Sequence, residues 1–232
     1  MSGGARTEWV SENALRIVLA DAPSDAASER VASVARVLRE DRPEHIVEVI
    51  PAYTCVTVVF DASALIDESR AQHVVHALIE RAEAQGTRAT APQRPVEVPV
   101  CYDAEFAPDL PDVARLAGLT REEAVSVHSG ALYAARFLGF SPGFAYLSGL
   151  PSVLHTPRLA SPRTRVPTGS VAIGGGQAAV YPHATPGGWR IVGRTPIRVF
   201  DAARERACLI EAGDLVRFVE ITRSQFDRMS DA

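Results

Sequence analysis

Apolar positions in the first ninety residues follow two different periods. Residues 14 to 20 (ALRIVLA) make an apolar run of strand length, and beyond Ser24 the residues Ala27, Val31, Val34 and Leu38 recur three or four apart, which predicts a helix capped by Ser24. The β-rich runs 45 to 50 (HIVEVI) and 54 to 60 (TCVTVVF), parted by Pro51, Ala52 and Tyr53, predict a hairpin. A second helix is expected from about Ser63, with Ala71, Val74, Leu78 and Ala82 on one face and Gly86 as its stop. Residues 95 to 101 again read as a strand. The order β-α-β-β-α-β predicts an α+β domain of the split βαβ kind, with two helices on one side of an antiparallel sheet.

The polar stretch 86 to 94 marks the expected boundary, so the predicted domains are 1–92 and 93–232. Two short helices should follow: Asp109 to Ala117, ended by Gly118, and Arg121 to about Ser129, opened by a capping box from Thr120 to Glu123. After Tyr133 the pattern becomes short apolar runs (133 to 138, 170 to 173, 178 to 181, 189 to 192, 196 to 200, 207 to 211, 215 to 221) punctuated by Gly and Pro. Such a series predicts a mainly-β barrel or sandwich.

Composition narrows the chemistry. The first residues lack a basic start and an apolar core, and no apolar run approaches the length of a membrane span. Cys55, Cys101 and Cys208 are odd in number, widely spaced and set among apolar neighbours, so reduced core thiols and a cytoplasmic location are expected. All 24 basic residues are arginines. The absence of lysine excludes a Schiff base, a P-loop lysine and a lysine base. A net charge of −4 and a basic region so rich in turns argue against a nucleic-acid surface.

Charge is unevenly placed. Between Glu123 and Asp201 lie 77 residues without an acid, carrying Arg136, Arg158, Arg163, Arg165, Arg190, Arg194 and Arg198 together with His128, His155 and His183. That block is +7 and the remainder, with 17 arginines against 28 acids, is −11. A block of this kind suits a site for a small carboxylate or a phosphate; a genome that favours arginine, with the block forming a basic face, would leave the same bias.

Several motifs inside the block bear on that choice. Gly139-Phe140-Ser141-Pro142-Gly143 fits G-x-S-x-G, but the oxyanion hole of a nucleophile elbow needs the N–H of the residue after the serine, and Pro142 has none. A stiff turn beside a pocket, flanked by Phe140 and Phe144, is expected instead. Gly174-Gly175-Gly176 with Gln177 lacks the spacing of a nucleotide fingerprint, yet its N–H groups would serve either as a nest for an oxyanion or as a hairpin tip. Arg158, Arg163 and Arg165 sit on a loop stiffened by Pro157, Pro162 and Pro167, suited to clamping a planar anion or to pairing at a surface. Tyr181, Trp189 and Arg194 flank a tight turn and would wall a ligand cleft or cover a barrel end. His128 lies on the apolar face of its helix, as a structural histidine or a catalytic one. No histidine shows metal-ligand spacing, so no metal site is expected.

The segments VPVCY (98 to 102), PDL (108 to 110), GFSPGFAYLSGLP (139 to 151), PRLASPRTRVPTGSVAIGGGQ (157 to 177), AVYPHATPGGWRIVGRTP (179 to 196) and EAGDL (211 to 215), with IPAYTCVTVVFD (50 to 61), resemble the family of the 5-oxoprolinase B component (PxpB), also called the KipI or allophanate hydrolase subunit 1 family. The resemblance implies an N-terminal α+β domain and a C-terminal cyclophilin-like β-barrel. It also implies an ATP-using hydrolase subunit that opens 5-oxoproline to glutamate with PxpC-type and PxpA-type partners and is inactive alone. ATP with magnesium would be a co-substrate, and the region from Gly139 to Pro196 would form the active-site face. Family alternatives are an inhibitor of a sensor histidine kinase and the carboxyltransferase half of a urea carboxylase system. Ser11-Glu12-Asn13-Ala14, Gly176 and Ala178-Ala179 depart from the family pattern.

Overall fold

A computed structural model describes residues 4–41, 43, 45–63, 67–85 and 94–230. The chain divides into two compact units, Met1–Ala91 and Pro92–Ala232. The expected boundary stretch lies outside the described residues up to Arg94, as does Gly86.

Among the described residues, the first unit carries an antiparallel sheet in the order β1-β2-β4-β3, built from β1 (Arg6–Ser11), β2 (Ala14–Val18), β3 (Ile46–Pro51) and β4 (Cys55–Phe60). Helix α1 (Asp25–Asp41) starts where Ser24 Oγ accepts the Ala27 N–H at 3.0 Å, and its Val31, Val34 and Leu38 are buried with Leu15, Ile17, Val56 and Val58. Helix α2 (Glu68–Gln85) begins later than expected. Asp67, not Ser63, accepts its first N–H groups, from Ser69 and Arg70, while Ser63 turns back onto Asp61. Its buried stripe is Val75, Ile79 and Ala82, and Val74 is exposed.

The element order is thus β-β-α-β-β-α, which corrects the expected order at both ends. β1 escaped notice because an edge strand with alternating half-exposed residues has no apolar run. The last expected strand is real, but it belongs to the second unit.

That second unit contains a seven-stranded sheet in the order β12-β9-β10-β7-β6-β13-β5. In chain order its elements are β5 (Val96–Val100), α3 (Leu110–Ala117), α4 (Arg121–Gly130), β6 (Tyr133–Leu138), β7 (Ala145–Ser148), β8 (Arg163–Val166), β9 (Ser170–Gly174), β10 (Gln177–Val180), β11 (Thr185–Gly187), β12 (Arg190–Arg194), β13 (Leu215–Glu220) and α5 (Arg223–Ser230). The two outermost strands meet at one bridge, where Cys101 N–H donates to Arg194 O at 2.8 Å and Arg194 N–H donates to Cys101 O at 3.0 Å. The sheet is therefore nearly closed into a barrel. Its interior is filled by alternate residues of all seven strands, among them Val98, Tyr133, Leu147, Ile173, Val180, Val192 and Phe218, and by Leu110, Val113 and Val125 of α3 and α4. No room for a ligand follows from such a filling.

Both helices keep the termini read from the sequence. Gly118 ends α3 at φ 68°, and the reciprocal Thr120–Glu123 capping box opens α4, a device worth about 1 kcal/mol. The runs 196 to 200 and 207 to 211 are not strands; Pro196 lacks a ladder donor, and the two segments meet at a single Phe200–Cys208 bridge. β8 and β11 form a separate two-stranded ribbon. The three cysteines are free thiols, with Cys101 buried and the others half-buried. Among the described residues, no helix is long and apolar enough to cross a membrane.

Candidate functional site

Strand alternation gives the barrel wall two apolar faces. On β7, Ala145 and Leu147 enter the barrel core, so Phe144 and Tyr146 project outward, where they join Ala172, Ala179, Tyr181, Trp189 and Ile191 in a second cluster. The rings meet edge to face. Phe144 lies 5.0 Å from Tyr146, 5.3 Å from Tyr181 and 5.8 Å from Trp189 between centroids. Small residues make this possible: a Cβ on Gly174 would come within 2.8 Å of the Trp189 ring.

A cleft of about 240 Å³ opens over this floor, lined by Phe140, Phe144, Tyr146, Arg158, Leu159, Pro162, Tyr181, Gly187, Gly188 and Trp189. One wall is the β6–β7 turn. Phe144 N–H donates to Ser141 O at 3.0 Å, with Pro142 and then Gly143 at φ 81° between them, the arrangement of a type II turn. Just before it, Ser141 N–H donates to Gly139 O at 2.7 Å, which closes a three-residue γ-turn around Phe140 at φ 66°. A bulky residue held there costs about 1–3 kcal/mol, and Phe140 is 61% exposed. Ser141 Oγ is buried without a hydrogen-bond partner, in keeping with a turn that is no nucleophile elbow.

The other wall is the Arg158–Pro162 loop. Leu159 N–H donates to Gly188 O at 2.8 Å, and Arg190 Nε donates to Pro157 O at 3.0 Å, so the loop is tied to the turn before β12. The Arg158 guanidinium stands 5.8 Å from the Trp189 ring centroid and has no hydrogen bond or ion pair among the described residues. Burial raises the pKa of Tyr181 and of Tyr146. The charge of Arg158 opposes the rise in both, and that of Arg163 does so in Tyr181. The lining holds no carboxylate and no imidazole. Such a cleft can seat a flat small molecule on its aromatic walls and pair one negative group with Arg158.

Other expected site residues lie elsewhere. Arg163 holds an anion, but an internal one: its Nη2 donates to Asp109 Oδ1 at 2.7 Å, and Asp109 Oδ2 accepts the Ile191 N–H at 2.6 Å. Arg165 is exposed and absent from the cleft lining, and Arg194 donates to Thr168 O near the barrel closure. Gly174 and Gln177 pair across a two-residue hairpin tip. Gly175, at φ 62°, gives its N–H to Thr156 O at 2.8 Å, and Gly176 faces the His155 ring, so the glycines form a tip and not a free nest. Gln177 Nε2 is buried without a partner, outside the cleft lining.

His128 requires the largest correction. It is 2% exposed, with Nδ1 2.8 Å from Tyr102 Oη and its ring stacked on Phe218 at 4.8 Å. Burial pushes its pKa down to about 3, so it stays neutral in the core, outside the cleft lining. Sequence reasoning also missed residues. Tyr146 was signalled by its place two positions after Phe144, Gly187 and Gly188 by their turn before Trp189; Pro162 was read only as a stiffener of its loop and Asp109 only as a helix start, and nothing local marked Leu159.

The carboxyltransferase domain, subdomain C and D, family model matches residues 5–210. The 5-oxoprolinase B component of Bacillus subtilis (strain 168) is 35% identical over 229 residues, covering 94% of each chain. The 5-oxoprolinase B component of Escherichia coli O157:H7 is 41% identical over 215 residues, covering 93% of this chain and 95% of that protein. The crystal structure of TTHA0988 superposes with a TM-score of 0.77 at 33% identity, covering 90% of this chain and 40% of that longer one.

Proposed function

The chain belongs to the carboxyltransferase domain, subdomain C and D, family, and within it to the family of the 5-oxoprolinase B component; from that membership we propose that it is the B component of an ATP-dependent 5-oxoprolinase. The complex opens 5-oxo-L-proline to L-glutamate and is completed by PxpC-type and PxpA-type subunits. The observation that carries this reading is the match to two B components over at least 93% of this chain and of each relative.

The chemistry explains why ATP is needed. A lactam carbonyl is a poor electrophile because the ring nitrogen donates into it. Transfer of the γ-phosphoryl group to the amide oxygen makes a better one; a first water adds, the ring C–N bond breaks to leave an acyl phosphate and a free amine, and a second water releases phosphate and the carboxylate. The magnesium that accompanies the nucleotide is carried with it or held by a partner subunit. This chain contributes binding. Arg158 pairs with the substrate carboxylate, while Tyr146, Tyr181 and Trp189 enclose the ring.

Co-expression with both partners, followed by an assay of 5-oxoproline-dependent ADP release, tests the reading. Turnover is expected only from the assembled complex, and the isolated chain should be inert. Strong activity from this chain alone, or none from the full assembly, would overturn it.

A further inference from the structure

We propose that Phe140 is the specificity-determining lid of the cleft, a ring held out by strained backbone so that its face closes over a flat ligand anchored at Arg158. The inference rests on the reading of the cleft as the 5-oxoproline subsite and adds to it the element that selects a planar ring.

Three observations carry it. The first is conformational. Phe140 occupies the centre of a γ-turn at φ 66°, where glycine would be free of strain, yet the sequence keeps a bulky aromatic there. Its neighbours enforce the conformation. Pro142 fixes the next turn, Gly139 N–H donates to Phe144 O at 3.1 Å, and Gly143 lies so close to Phe200 that a Cβ would come within 2.5 Å of it. Strain that the surroundings over-determine marks a functional position more often than an accident.

The second observation is exposure. A phenylalanine 61% exposed sits at the rim of an apolar cleft in which Phe144, Tyr181 and Trp189 are buried and Tyr146 is half-buried. The third is geometry. Phe140 meets Phe144 at 5.2 Å and 65°, and Tyr181 at 6.2 Å and 88°, edge contacts that leave its face without a stacked partner. A flat lactam ring is the kind of group that stacks on such a face, and a branched or bulky carboxylate is not. Phe140 and Arg158 come from different loops of the same cleft, so one ligand can touch both.

Two substitutions separate the lid from a packing role. Phe140→Ala and Phe140→Gly both remove the ring, but only glycine relieves the positive φ. Binding of 5-oxoproline to the full chain, read by calorimetry, should weaken about tenfold in both variants, with 2-pyrrolidinone, which lacks the carboxylate, binding poorly throughout. The glycine variant should melt about 2–4 °C above the alanine variant, the reverse of the usual order of these residues. Unchanged 5-oxoproline affinity in both variants, or an alanine variant as stable as the glycine one, would overturn the inference. If the assembled complex turns over no 5-oxoproline but the chain still binds it in a Phe140-dependent way, the lid stands and the proposed function falls.

Discussion

Arg158 is available because it makes no hydrogen bond or ion pair among the described residues. Arg163, Arg190 and Arg206 are each paired to a carboxylate, whereas Arg158 lies over an indole with its donors unspent. Removing it should therefore affect ligand binding far more than folding. Arg158→Ala is expected to raise KM for 5-oxoproline by roughly 30- to 100-fold in the complex, the loss of a charge-assisted paired hydrogen bond. Arg158→Lys should recover only part of that, since an ammonium cannot match both carboxylate oxygens. Initial rates against substrate concentration decide the matter, and an unchanged KM removes Arg158 from the site. His128 makes the opposite case, a titratable residue whose effect is on stability. Its folded pKa of about 3 lies below the usual value of 6.5, so between those values the unfolded chain binds a proton that the folded chain refuses. Stability from this group is complete above pH 6.5 and falls as pH drops toward 3, by up to about 1.4 kcal/mol per pH unit. Denaturation midpoints measured from pH 7 to pH 4 should fall less steeply for His128→Gln than for the parent chain. At this scale the sequence revealed which residue types mattered, but it could not say which arginine lines the cleft. Arg163 finds Asp109 across 54 positions, a separation that spacing cannot read.

The cleft depends on elements that are held by polar ties. Asp109, just ahead of α3, has a nearly buried carboxylate that joins Arg163 on β8 to the backbone of β12, and so fixes the ribbon whose neighbouring Pro162, Gly187 and Gly188 line the cleft. Asp109→Asn leaves the Arg163 charge unpaired at the edge of the core. Because Arg163 keeps 30% exposure, solvent moderates the loss, to about 1–3 kcal/mol. The double variant Asp109→Asn with Arg163→Met should lose less than the sum of the two single changes. A double-mutant cycle by chemical denaturation checks this, and additive losses would deny the tie. Element types were well signalled where period or capping was strong, as in α1, α3, α4 and the β3–β4 hairpin. They were obscured where packing was one-sided or mixed. Helix α5 buries Phe226 alone, β1 is an edge strand, and β8 hides between Pro162 and Pro167.

The whole second unit is organised by a wall that is apolar on both sides. Ser170–Gly174 and Ala178–Val180 are buried throughout because one set of alternate residues fills the barrel and the other supports the aromatic cluster outside it. Continuous small and apolar residues in those segments report burial on both faces, but not which face carries a ligand. Since the interior is filled, the cleft lies on the outer side, beside the β8–β11 ribbon. The acid-free block likewise describes the chain and not the space around it, since Asp109, just ahead of α3, and Asp112, within it, reach into the block. By itself the sequence determined the turns, the caps, most of the strands, the store of arginines and aromatics, and the family, because these depend on residues near one another in the chain. Tertiary structure alone decided that Arg158 lines the cleft without an ion pair among the described residues, that His128 is sealed, and that Phe140 stands out under strain. Each of those outcomes is set by through-space distance between distant segments, which a linear pattern does not encode.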